Sequence, residues 1–134
     1  MLLHESFETI DEWDDYISII IASELIDNAI IYSKNGRILA QHSEFTLEQE
    51  QLKIIMAAFD YPNDFPELPI GSGHYTVVIN DGKHGILGRS SFNHVTVCQT
   101  ERIVLIGFHI QGTQAEQASQ VIMGIGDFLY SKGM

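Results

Sequence analysis

Apolar residues recur at spacings of three and four between Gln114 and Met134, where Ala118, Val121, Ile122, Ile125 and Leu129 form one buried stripe of a helix. The stretch follows Gly112-Thr113, is polar at Gln114, Glu116 and Gln117, and runs out at Lys132-Gly133, where the glycine can take the left-handed stop. Phe128, Tyr130 and Met134 are large side chains partly off that stripe, and they ask for a partner. A second helical pattern starts at Asp11, with acids in its first turn and Trp13, Tyr16, Ile17, Ile20 and Ile21 at helical spacing. Trp13 and Tyr16 are one turn apart and share a face. A third helix is predicted over Thr46 to Ala58, behind a threonine cap, from Leu52, Ile55, Met56 and Phe59.

The remaining pattern is of strand type. Asn28 to Ser33 and Arg37 to Gln41 flank Lys34-Asn35-Gly36, and Asn-Gly between apolar runs signals a hairpin. Asp60 to Gly73 gathers the three prolines, Pro62, Pro66 and Pro69, and reads as a loop. Four runs follow, beginning at His74, His84, His94 and Arg102, with connections short enough to force antiparallel neighbours. The expected order is helix, hairpin, helix, four-strand meander, helix. This gives an α/β protein of the α+β type, with a central antiparallel sheet of about six strands. The N- and C-terminal helices pack together on one face and the further helix on the other. Residues 12–134 form the single domain and residues 1–11 a short extension whose Leu2, Leu3, Phe7 and Ile10 could pack locally.

Charge narrows the function classes. Seven basic against eighteen acidic side chains give −11, which argues against a nucleic-acid or anionic-membrane surface as the main partner. With Cys98 as the one cysteine there is no internal disulfide. The first residues lack the basic start and apolar run of a signal peptide, and no apolar stretch approaches the ~20 residues that span a bilayer, so a cytoplasmic monomer is expected. The six histidines and Cys98 form no HxxxH or Cys-x-x-Cys spacing, so neither catalysis nor a metal or other cofactor is expected. His74, His84 and His94 are candidates to share one sheet face and give partner binding a pH dependence.

An ordered set of short motifs carries a resemblance. Trp13-x-x-Tyr16 opens a first helix; Asp27 to Ile31 is followed by Gly36 to Gln41; then come Tyr75-x-Val77-Val78, Gly88-Arg89, Val95-Thr96-Val97 and a closing Gly126-Asp127-Phe128-Leu129. From Trp13 onward the chain resembles profilin. The resemblance implies a protein that binds monomeric actin on one face and proline-rich segments of partner proteins on another, and so regulates actin filament assembly at the cytoskeleton. The alternative is a profilin-fold adaptor that has lost one of the two ligands and acts as an interaction module.

A polyproline II ligand prefers flat aromatic rings with a few donors at their edges. Trp13 and Tyr16 supply two rings, and the resemblance brings Leu39, Phe128 and Met134 to the same groove, with Tyr130 at its border. Leu39 stands where the family usually has a second tryptophan and Met134 where it usually has tyrosine, so the groove is expected to be weakened. The corresponding actin surface comprises His74, Thr76, Val78, Arg89, His94, Gln114, Gln120, Met123 and Gly124. Ile79, Leu87, Cys98 and Gln99 occupy positions where the family often has arginine or lysine, so phosphoinositide binding is expected to be poor.

Overall fold

The computed structural model describes residues 4–134, with side chains from Trp13 onward. Its elements are α1 (His4–Ala22), β1 (Ile26–Ser33), β2 (Ile38–Gln41), α2 (Gln49–Asp60), β3 (Glu67–Ile70), β4 (Gly73–Asn80), β5 (Gly85–Arg89), β6 (His94–Gln99), β7 (Ile103–His109) and α3 (Ala115–Ser131). The seven strands form one antiparallel sheet in the order β2-β1-β7-β6-β5-β4-β3. The pairing of β1 with β7 joins the first hairpin to the meander.

Strand alternation sends successive side chains to opposite faces and divides the core in two. On one face Trp13, Tyr16, Ile17 and Ile20 of α1 meet Ala118, Ile122 and Leu129 of α3 over Ile31, Cys98, Ile103 and Leu105. On the other, Leu52, Ile55, Ala58 and Phe59 of α2 cover Ile30, Val95, Val97, Val104 and Ile106. The N- and C-terminal helices therefore share one face and α2 takes the other, as the hydrophobic periodicity predicts.

Two close approaches set α3 on the sheet. A Cβ at Gly126 would run into the Cys98 thiol of β6, and one at Gly107 of β7 would run into Ile122. Only glycine lets the helix and strands come this near.

Three boundaries differ from expectation. The segment Asp60 to Gly73 is not all loop, because β3 lies within it and raises the strand count to seven. Leu68 and Ile70 are buried under α2, and Pro69 is tolerated because β3 is an edge strand. Thr46 does not cap α2. The chain stays extended through Leu47, whose N–H donates to the Tyr32 hydroxyl at 2.7 Å, and Glu48 becomes the N-cap. Helix α1 begins at His4, well ahead of Asp11. The expected packing of Leu2, Leu3, Phe7 and Ile10 lies outside the described side chains. Beyond its other end, Glu24 takes a left-handed φ of 63° while the Ser23 hydroxyl donates to the Ile20 carbonyl at 2.6 Å.

Candidate functional site

The end of α3 builds one edge of a groove. Lys132 is the C-cap and Gly133 turns left-handed with φ 84°. The Gly133 N–H then donates to the Tyr130 carbonyl, and the Met134 N–H donates to that of Leu129, both at 3.0 Å. These two bonds are the paired closure of a glycine-stopped helix. The turn delivers Met134 to the β6–β7 connection, where its main-chain oxygen accepts from the Thr100 hydroxyl at 2.6 Å and the Arg102 N–H at 3.0 Å. Met134 lines a cavity of about 500 Å³ with Trp13, Leu39, Arg37 and Arg102.

The aromatic rings run on from there. Trp13 meets Tyr16 edge to face with centroids 5.9 Å apart, and Tyr16 meets Phe128 in the same way at 6.1 Å. Trp13 and Tyr16 are each 7% exposed, whereas Phe128 is 51% exposed, with the Lys132 ammonium 5.4 Å from its ring centre. The structure therefore brings Trp13, Leu39 and Met134 into one cavity and links Tyr16 and Phe128 to it by ring contact. Tyr130 is not at this border. Its ring lies 5.2 Å from His84, in a separate hollow with Lys34, Lys83 and Gln99.

A second surface spans β4, β5, β6 and α3. Register places Thr76 opposite Arg89 and Arg89 opposite His94, so the three share a face, and His74, two residues before Thr76, shares it too. His74 lies 3.9 Å from Glu67, both largely exposed. Val78 falls at the bulge in β4 and stands exposed beside Ile79. Gln120 and Met123 of α3 line a cavity of about 490 Å³ with Ile79, Leu87 and Thr96, while Arg89 and His94 line a separate hollow of about 290 Å³. Gln114 caps α3, and both it and Gly124 are exposed. The nine residues thus fall in two clusters with His74 at one edge.

His84 does not join His74 and His94. It sits in the β4–β5 turn, where the Asp81 carboxylate accepts from the N–H groups of Lys83, His84 and Gly85 at 2.8, 2.8 and 3.0 Å. Partial burial would raise the Asp81 pKa, but these backbone bonds and the nearby His84 outweigh it and hold the carboxyl below its ordinary range.

Under the second surface lies a group that the sequence does not single out. His109 of β7 is 1% exposed, bonded through Nε2 to the Thr96 hydroxyl at 2.7 Å, with the His94 ring stacked 5.8 Å away. Among the described residues its Nδ1 has no partner. Burial, reinforced by His94, pushes its pKa down to about 4, so the ring is neutral. Cys98 is buried under Gly126, and burial followed by the charges of Asp127 and Asp81 pushes its thiol up to about 12. Such a thiol is a small packed hydrophobe rather than a nucleophile. Among the described residues no group of three or more His, Cys, Asp or Glu is placed to hold a metal ion, and no helix is long and apolar enough to cross a membrane. Arg37, Thr100 and Arg102 carry no mark in the sequence either, because each lies in or beside a turn and only the fold carries it to Met134.

The profilin family model matches residues 11–134. Profilin of Drosophila melanogaster is 26% identical over 126 residues, covering 90% of this chain and 98% of its own. Among solved structures, Acanthamoeba castellanii profilin IA superposes with a TM-score of 0.82 at 20% identity, over 91% of this chain and 99% of its own. LokiProfilin2, solved with rabbit actin, gives 0.77 at 18% identity over 90% and 96% of the two chains. Mouse profilin IIa, solved with a double repeat from the FH1 domain of mDia1, gives 0.74 at 13% over 91% and 99%.

Proposed function

The chain belongs to the profilin family, whose members are actin-binding proteins and not enzymes, and we propose that it binds monomeric actin and proline-rich segments through separate surfaces. The observation that carries the reading is the continuous line of side chains Met134, Trp13, Tyr16 and Phe128, assembled from both ends of the domain. The edge-to-face rings form a continuous apolar aromatic wall of the kind on which the ridged surface of a polyproline II segment packs. LokiProfilin2 with actin and mouse profilin IIa with an FH1 repeat support the two ligand classes for this fold.

The surface of β4, β5, β6 and α3 is the actin side. Exposed Val78 and Ile79 beside Leu87 and Met123 give it an apolar centre, and His74, Arg89, Gln114 and Gln120 give it a polar rim. Occupying one face of the actin monomer blocks spontaneous nucleation and addition at one filament end. The protein therefore acts in the cytoplasm as a regulator of filament assembly, delivered by proline-rich partners.

Trp13 is the one tryptophan, so its fluorescence reports the groove directly. Titration with decaproline is expected to give a saturable change that is abolished or strongly weakened in Phe128→Ala. Leu39→Trp should tighten binding roughly threefold to tenfold by adding a ring. Spontaneous assembly of monomeric actin should slow in proportion to added protein. No fluorescence change with decaproline, together with slowed assembly, would assign the function to the actin surface alone. The reverse pair would make the chain an adaptor that has lost actin.

A further inference from the structure

Basic side chains are scarce in this chain, seven against eighteen acids. The fold nevertheless puts Arg37 and Arg102 into the wall of the same cavity as Trp13, Leu39 and Met134. Among the described residues no carboxylate side chain lines that cavity, and neither guanidinium has a carboxylate partner. Both residues are exposed at that wall, so their guanidinium groups are accessible from solvent. Lys34 and Lys83 lie in the separate hollow, together with Glu101, and the Lys34 N–H donates to the Arg102 carbonyl at 3.0 Å. Lys34 is half-buried and already feels Asp60 and Glu101. The charged side chains of the cavity wall are therefore both positive, and they lie beside the rings.

Resting on the proline-binding reading above, we propose that the groove selects proline-rich segments flanked by acidic residues. Arg37 and Arg102 meet the flanking carboxylates while the aromatic line meets the prolines. A planar guanidinium takes a carboxylate through two parallel N–H groups, which gives register along an otherwise repetitive ligand. The net charge of −11 works against an acidic ligand at a distance, but at about 0.1 M salt the remote acids are screened over ~10 Å and the adjacent arginines are not.

The test compares decaproline with decaproline carrying Asp-Glu at its N-terminal end, at its C-terminal end, or Lys-Lys in their place, each titrated against Trp13 fluorescence in about 0.1 M salt. One acid-flanked peptide is expected to bind roughly threefold to tenfold tighter than decaproline, and the lysine-flanked peptides no tighter. The acid preference should shrink at about 0.5 M salt and fall to about one in the Arg37→Gln/Arg102→Gln double variant, whose thermal unfolding is followed in parallel. Equal affinities for all peptides would overturn the inference and leave proline binding intact. Binding of none would overturn both. If acid flanks bring no gain, while vesicles of phosphatidylcholine with one-fifth phosphatidylserine bind the wild type and not the double variant, the arginines serve a lipid headgroup and the proposal falls.

Discussion

At Gly126 the fit between α3 and β6 depends on a missing methyl group. Alanine there would push its Cβ into the Cys98 sulfur, in a core where neighbouring Ile122 and Leu129 are fully buried and have no room to shift. Gly126→Ala is expected to cost about 1–3 kcal/mol in urea unfolding, and Cys98→Ala added to it should recover much of the loss. The sequence signals Gly126 only through the closing motif it begins, and Cys98 only as a lone thiol. That the two touch is a property of the helix-to-sheet packing, which periodicity does not specify. Gly133 is the opposite case. A basic residue followed by glycine marks a helix stop by local physics alone, and φ 84° follows from it.

Paired elements carry the pH response. His109 of β7 is held neutral between Thr96 and His94 of β6. Its folded pKa, about 4, lies below the ordinary 6.5, so the unfolded chain takes up the proton first as pH falls. The stabilisation is complete above pH 6.5 and is lost progressively down to about pH 4. His109→Gln removes this component. The stability difference between wild type and variant should therefore shrink by on the order of 3 kcal/mol across that window, measured by denaturant unfolding at successive pH values. Elements with strong apolar patterns, α3 and the strands β6 and β7 above all, are visible in the sequence because α3 must bury one stripe and β6 and β7 are buried on both faces. Strand β3 is not, since Pro66 and Pro69 are loop signals and only the edge position tolerates them. The cap of α2 fails for a similar reason. Burying Leu47 beneath Tyr32 outweighs the preference of Thr46 for a helix start.

Across the whole molecule, α3 divides its sides between two surfaces. Phe128 and the turn after it belong to the groove, while Gln120 and Met123 belong to the β4–β6 surface, and no side chain lines both. Under the proposed function, saturating decaproline should leave affinity for monomeric actin within about twofold, and a ternary species should appear in sedimentation velocity. Competition between the two would show that the surfaces overlap. The groove is half legible in the sequence: its rings stand out as large residues off a helical stripe, whereas its charges do not. Arg37 and Arg102 are far apart along the chain, in a protein whose composition argues against basic surfaces, and only the junction of the first hairpin with the meander brings them together.

That junction also governs the order in which the molecule is made. Strand β1 hydrogen-bonds β2 on one side and β7 on the other, and β7 is the last of the seven strands to be synthesised. The hairpin therefore leaves the ribosome with its inner edge bare and waits for the rest of the sheet before it can close. Meanwhile its apolar run from Ala29 to Tyr32 is guarded only by the polar residues that flank it, Asp27 and Asn28 before and Ser33 and Lys34 after. Closing the sheet thus pairs strands from opposite ends of the domain, a long-range contact whose loop-closure cost comes before its reward, and the nascent β1 edge is the segment that a chaperone would have to shield.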